Sequence, residues 1–211
     1  FAEGLSTSEN LVLDAASALR DAAGIQAGAQ LFLTKNLPVA SGIGGGSADA
    51  AATLRLLSRH WSIDPSVAQA IAPKLGSDVP ACLLSMLARG VGAGDEIRLV
   101  DDPLAGGTPV LLVNPGVALS TRDVFAAWDG VDRGPLDDWR EGRNDLEAPA
   151  RSLVPEIGEL IDWLKARNGA TFVRMSGSGA TCFAMFGNGE AMEEAAASCP
   201  SEWWHLATFL R

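Results

Sequence analysis

The densest chemistry in this 211-residue chain lies in residues 38–52, PVASGIGGGSADAAA, where Gly42, Gly44, Gly45 and Gly46 run into Ser47 and an alanine-rich segment. Glycines let successive peptides turn without a Cβ in the way. A helix starting just after them adds unpaired N–H donors and a favourable dipole. Such a run suits the cradling of a phosphate. Two look-alikes fail on spacing. A dinucleotide fingerprint needs a glycine where Ser47 stands, and Asp64, at the distance of a ribose-binding acid, precedes Pro65 as a helix cap. A Walker loop needs a lysine right after its glycines, where Ala48 and Asp49 stand. A tight turn packed on the following helix is the competing structural reading. It is weakened by the cost of four unused glycines in five residues.

Two further segments carry candidate groups: residues 75–80, LGSDVP, with Asp78, and residues 174–183, RMSGSGATCF. Taken alone, Asp78 is an ordinary turn residue before Val79-Pro80, and the Ser-Gly-Ser-Gly run is an ordinary β-turn. The rest of the inventory narrows the chemistry. The only histidines are His60 and His205, and there is no tyrosine. Cys82, Cys182 and Cys199 are odd in number, far apart and without metal spacing. Proton transfer therefore falls to a carboxylate or to Lys35, Lys74 or Lys165.

These residues need elements to hold them. Residues 29–33 (AQLFL) read as a short strand ending at Thr34-Lys35. Residues 47–61 read as a helix, with Ala50, Leu54, Leu57 and Trp61 on one face. An earlier helix is expected over 8–23, and another from Asp64-Pro65 to about residue 72. Residues 75–80 read as a loop, 81–87 as a continuing helix, 89–96 as a glycine-rich link and 97–100 as a short strand. Turn formers at 101–108 mark a domain boundary. Beyond it, 109–113, 171–174, 181–186 and 204–210 read as strands, and 123–128, 154–166 and 190–199 as helices. Helices and strands alternate without a clean βα rhythm. The expected class is α+β in two lobes, 1–104 and 105–211.

A net charge of −10 argues against nucleic acid or an anionic membrane surface as partner. No apolar run reaches the length of a membrane span, and the cysteine usage fits a reducing cytoplasm.

In their order along the chain, residues 38–52, 75–80 and 174–183 resemble the signatures of the GHMP kinases, the family of galactokinase, homoserine kinase, mevalonate kinase and phosphomevalonate kinase. The triple glycine followed by Ser-x-Asp-Ala-Ala, with the LGSDVP loop, is similar to one branch, whose substrate is the cytidine diphosphate of methylerythritol. The resemblance implies a lobe like domain 2 of ribosomal protein S5 followed by a ferredoxin-like lobe. It implies ATP as phosphoryl donor, Mg²⁺ carried with the nucleotide, and no metal site of the protein's own. The reaction implied is phosphorylation of a substrate hydroxyl in the non-mevalonate route to isoprenoids, in the cytoplasm.

Carried over residue by residue, Pro38, Val39, Ala40, Ser41, Gly42, Ile43, Gly44, Gly45, Gly46, Ser47 and Ala48 would wrap the ATP phosphates. Ser47 would place its hydroxyl on a phosphate or on Mg²⁺, or serve as a plain helix N-cap. The family more often has serine at Ala48. Asp78 would be the general base that takes the proton of the attacking hydroxyl. Ser176, Gly177, Ser178 and Gly179 would lie against the diphosphate of the substrate. Phe125, with Thr121 one turn before it, would stack on cytosine; a core phenylalanine is the competing reading. Asn144 either belongs to a recurring Asn-Asp-Leu or caps a helix, and Lys35 either faces nucleotide or is a solvated lysine. Trp203 and Trp204 read as core and surface of the last strand.

The family's opening strand carries a lysine beside the catalytic aspartate, and no segment here matches it. The expectation is that the 211 residues are a fragment or truncated product and, alone, have weak or no kinase activity. Two alternatives stay open: another GHMP kinase, of homoserine or mevalonate type, and a non-catalytic domain that keeps the fold and only binds nucleotide.

Overall fold

A computed structural model of the chain describes residues 10–39, 41–91, 96–100, 106–134, 136, 138–140 and 142–210. Two compact units form: Phe1–Asn36 with Gly44–Asp101, and Leu37–Ile43 with Asp102–Arg211. The chain thus changes unit inside the glycine cluster, between Ile43 and Gly44. The boundary expected at 104/105 lies outside the described residues.

The first unit is helical with a small two-stranded antiparallel sheet. Asn10 caps α1 (Leu11–Ala22) through its side-chain oxygen and the N–H of Val12. The expected start at Ser8 lies outside the described residues. Helix α2 (Gly45–His60) begins earlier than the sequence suggests, because Gly44 in the left-handed region (φ 65°) starts it without any side-chain cap. Ser47 is therefore inside the first turn and is not the cap. Asp64 caps α3 (Pro65–Leu75) at the N–H of Ser66 as expected, and Pro73 lies within its last turn. Helix α4 (Val79–Leu84) takes up residues read as loop, and Ser85 in the left-handed region (φ 52°) stops it. Ala15, Leu19, Ala50, Leu54, Leu57, Ile71 and Val79 form the core of this unit.

Two sequence expectations fail here. Residues 29–33 form no strand: Phe32 is 87 % exposed, and among the described residues no strand pairs with this segment. Apolar composition supplies the propensity for a strand but not its hydrogen-bonding partner. Conversely, β1 (Ala88–Val91) runs into the supposed link at 89–96 and pairs antiparallel with β2 (Glu96–Leu99), which lies within one residue of the strand expected over 97–100. Pairing with β2 overrides the weak propensity of Arg89-Gly90.

The second unit is a four-stranded antiparallel sheet in the order β4-β5-β3-β6 with helices against it. Its strands are β3 (Pro109–Asn114), β4 (Ala170–Met175), β5 (Cys182–Phe186) and β6 (Trp204–Phe209). Helices α5 (Thr121–Ala127), α6 (Glu147–Leu153), α7 (Glu156–Lys165) and α8 (Gly189–Ala197) complete it. Ile157, Leu160, Ile161 and Leu164 of α7 pack with Leu111, Val113, Cys182 and Ala184 of the sheet. That helical spacing is what the sequence shows. Helix α6 was not expected, since its seven residues contain Pro149 and little apolar periodicity. Trp203 meets Trp163 edge-on at 5.7 Å and packs on the core, and Trp204 begins β6.

Candidate functional site

In the first unit the glycine cluster does one job, the launching of α2. No side chain caps this helix, and its first turn holds no acidic residue. The first backbone bond back into the turn is from the N–H of Ala48 to the Gly44 carbonyl, at 2.9 Å. The N–H groups of Gly45, Gly46 and Ser47 precede that bond and make none within the helix. An anion is what such an end accepts.

Asp78 faces the same turn. A Cβ built on Gly44 would sit 4.0 Å from its Oδ2, so a carboxylate stands beside the start of α2. Asp78 occupies the N-cap position of α4 but spends no side-chain bond on capping. Among the described residues its one side-chain hydrogen-bond partner is the Ser77 hydroxyl, which donates to Oδ1 at 3.4 Å. An exposed carboxylate without a structural task, next to free N–H donors, can take a proton from a hydroxyl brought up to a bound phosphate.

Lys35 corrects an expectation. It is not a free solvated lysine; its ammonium pairs with the Asp49 carboxylate on α2. Both side chains are largely shielded, at 21 % and 29 % exposure, so the pair joins the segment before the glycine cluster to the helix after it.

In the second unit the earlier half of the cluster meets the third motif. The Ser176 hydroxyl donates to the Gly42 carbonyl at 2.9 Å, and the N–H of Thr181 donates to the Ser41 carbonyl at 3.2 Å. Gly42 has φ +74°, and a Cβ on it would lie 2.7 Å from the Ser176 carbonyl oxygen and 2.8 Å from the Gly179 nitrogen. A Cβ on Gly177 would in turn lie 2.8 Å from the Gly42 carbonyl oxygen. Only glycine allows this approach of backbone to backbone.

The same turn is braced from two other sides. Asn144 donates through Nδ2 to the carbonyls of Met175 at 2.9 Å and Gly177 at 2.8 Å, while its Oδ1 accepts from the N–H of Leu146. Asn144 is thus not the N-cap of α6, a position held by Leu146. Thr121 and Ser178 share a hydroxyl–hydroxyl bond of 2.8 Å. Deeper in, Asn114 donates to the fully buried Thr181 hydroxyl at 2.9 Å. The sequence reading missed Asn114 as a brace; the one local signal was Asn-Pro-Gly, an Asx turn closed by the Gly116 N–H on Oδ1.

Phe125 lies on α5 with Thr121, one turn on, and is 53 % exposed. The core reading is excluded, because the neighbouring Val124 is the residue of α5 that is buried. A ring held on a helix with a free face can accept a stacked base.

The site residues thus divide by unit. Gly44, Gly45, Gly46, Ser47 and Ala48 stand with Asp78. Pro38, Val39, Ser41, Gly42 and Ile43 fold with Ser176, Gly177, Ser178 and Gly179. Ala40 lies outside the described residues.

Comparison with known proteins identifies the family. Residues 10–86 match the family described as GHMP kinases N terminal domain, and residues 130–205 match GHMP kinases C terminal. A curated 4-diphosphocytidyl-2-C-methyl-D-erythritol kinase of Rhizorhabdus wittichii is 50 % identical over 220 aligned residues, covering 99 % of this chain and 75 % of that protein. A crystal structure of 4-(cytidine 5'-diphospho)-2C-methyl-D-erythritol kinase superposes with a TM-score of 0.83 at 32 % identity, covering 97 % of this chain and 79 % of the other. A homoserine kinase from Cytophaga hutchinsonii, at TM-score 0.71 and 16 % identity over 97 % of this chain and 77 % of its own, shares the fold.

Proposed function

The chain belongs to the GHMP kinase family, and on that premise we propose that it transfers the γ-phosphoryl group of ATP to a hydroxyl of 4-diphosphocytidyl-2-C-methyl-D-erythritol, with Asp78 as the general base. The observation that carries this reading is the Asp78 carboxylate, uncommitted to capping, beside Gly44 at the open N-terminus of α2.

The phosphates of ATP lie on the N–H groups of Gly45, Gly46 and Ser47, where the end of the α2 dipole favours their charge. Asp78 accepts the proton of the attacking hydroxyl as the new P–O bond forms and the bond to ADP breaks. A positioned base is worth on the order of 10²–10⁴ in rate, and alignment of two anionic substrates supplies much of the rest. Mg²⁺ would be carried with the nucleotide's phosphates, with the Ser47 hydroxyl as a protein oxygen for it, and would supply charge neutralisation on the transferring group.

Recognition of the cytidine diphosphate falls to the second unit: Phe125 stacks on the base, and Thr121, Ser176, Gly177, Ser178 and Gly179 line the diphosphate. The reaction belongs to the non-mevalonate supply of isoprenoid precursors, in the cytoplasm. Among the described residues, no helix is long and apolar enough to cross a membrane.

The test is phosphoryl transfer by the full product of the gene, with ATP and 4-diphosphocytidyl-2-C-methyl-D-erythritol, homoserine or mevalonate as acceptor. ADP release with the cytidine compound, abolished in Asp78→Asn, is the expected result. Turnover of homoserine or mevalonate in its place, or nucleotide binding without transfer to any acceptor, would overturn it.

A further inference from the structure

Asn144 has no part in the reaction proposed above, yet the directions of its hydrogen bonds bear on it. Its Oδ1 accepts from the N–H of Leu146 at 3.0 Å, and its backbone carbonyl accepts from the N–H of Glu147 at 3.0 Å, which anchors the residue at the entry to α6. With Oδ1 engaged, Nδ2 is turned to the loop between β4 and β5, where it donates to the carbonyls of Met175 at 2.9 Å and Gly177 at 2.8 Å. An amide turned over would set its oxygen against those two carbonyl oxygens. The position thus needs one acceptor and two donors on a short side chain, a set that asparagine alone supplies.

These bonds fix the peptide planes of the turn. In a trans peptide the C=O and the N–H point in opposite directions. The Ser176 carbonyl accepts from the N–H of Gly179 at 2.9 Å, across the turn, so the Gly177 N–H of the same plane points out of it. Gly177 is exposed and lies in the left-handed region (φ 53°), and among the described residues its N–H makes no hydrogen bond. An outward N–H at a left-handed turn residue is the material of backbone anion nests. A glycine at the tip of a turn is also free to leave that conformation unless something outside the turn holds it. Asn144 is that hold, because it draws the carbonyls on either side of Ser176 to one nitrogen.

We infer that Asn144 is a positioning residue for substrate binding, which keeps the Gly177 N–H aimed at the diphosphate of the nucleotide substrate. The inference rests on the reading that this turn lines the diphosphate. Both Nδ2 hydrogens are spent on the turn, so Asn144 acts through Gly177. Its effect is confined to the diphosphate. It spares the base, which stacks on Phe125, and ATP, which lies on the start of α2.

The test uses the full product of the gene, with cytidine diphosphate and cytidine as probes followed by backbone amide shifts. In the unaltered protein the Gly177 amide should move downfield with the diphosphate and stay in place with cytidine. Asn144→Ala and Asn144→Asp should each weaken binding of cytidine diphosphate about tenfold, the worth of one hydrogen bond to a charged group, with the affinities for cytidine and ATP unchanged. Asn144→Asp keeps the acceptor for the Leu146 N–H and loses only the donors, whereas Asn144→Ala adds no charge. A loss common to both therefore belongs to the turn. Equal losses for cytidine and its diphosphate would reduce Asn144 to a structural brace and overturn the inference. So would diphosphate affinity retained in both variants, or a Gly177 amide that the diphosphate leaves unmoved. Cytidine diphosphate that binds the unaltered protein no better than cytidine would overturn the reading of the turn itself, and this inference with it.

Discussion

The Ser176 hydroxyl donates to the Gly42 carbonyl at 2.9 Å, joining two residues 134 apart in sequence. Within the second unit this bond ties the Ser41–Ile43 half of the glycine cluster to the Ser-Gly-Ser-Gly motif. Each motif alone has an innocent reading as a turn; their backbones in contact do not, since that contact excludes any side chain at Gly42 or Gly177.

Gly42→Ala should therefore destabilise the protein by about 2–4 kcal/mol, from left-handed backbone strain together with overpacking on the Ser176 carbonyl and the Gly179 nitrogen. Gly28→Ala, where a Cβ meets nothing within 4 Å, should change stability by no more than about 0.5 kcal/mol. Urea unfolding of both variants checks the contrast. Equal stabilities would refute the role given to Gly42.

Asp78→Asn should lower kcat by on the order of 10²–10⁴. Because Asp78 caps nothing with its side chain, the melting temperature and the affinity for ATP should stay near their original values. Calorimetric titration with ATP alongside the rate assay separates loss of chemistry from loss of binding.

Phe125→Ala removes a ring that is 53 % exposed and packs in no core, so stability should hardly change. If the ring stacks on cytosine, the KM for the cytidine substrate should rise by on the order of tenfold, with the KM for ATP unchanged. A fall in melting temperature with unchanged kinetics would return Phe125 to a structural part.

Asn144→Asp puts a carboxylate where two donors now face the carbonyls of Met175 and Gly177. It should cost about 1–3 kcal/mol and exceed the cost of Asn144→Ala, since repulsion is added to the lost bonds. Denaturant midpoints of the two variants decide the order.

Burial, and behind it the charge of Glu147, pushes the Cys182 thiol up to about 12, against an ordinary value of 9.0. Above pH 9 the unfolded chain has lost this proton while the folded chain keeps it. Stability is thus fully present below that pH and falls as pH rises toward about 12, by roughly 1.4 kcal/mol per unit. Cys182→Ala should flatten this alkaline limb, though not entirely, because Cys199 is also raised, to about 11. Unfolding free energies at about pH 8 and about pH 10.5 test the sign. An unchanged slope in Cys182→Ala would assign the alkaline loss to other groups.

Helices with a regular apolar stripe were legible from their own residues. Asp64-Pro65 marks the start of α3, and Ile157, Leu160, Ile161 and Leu164 mark the buried face of α7, because the information lies within one or two turns. Elements that depend on a distant partner were not. Residues 29–33 have the composition of a strand and no partner among the described residues, whereas Ala88–Val91 has a poor composition and pairs with Glu96–Leu99. The pair of Lys35 with Asp49 was hidden for the same reason: nothing local says which carboxylate an ammonium will find.

Read as a string, the chain already specified its chemical vocabulary and its family, because a glycine run, an aspartate loop and a second glycine motif in that order are patterns of residue type and spacing. It could not specify which atoms meet. That Asp78 faces Gly44 and that Gly42 admits the Ser176 turn follow only when helices and strands pack. Hydrogen bonds and close backbone approach act over a few ångströms of space and are indifferent to separation along the chain. Tertiary structure is therefore what turns these motifs into sites.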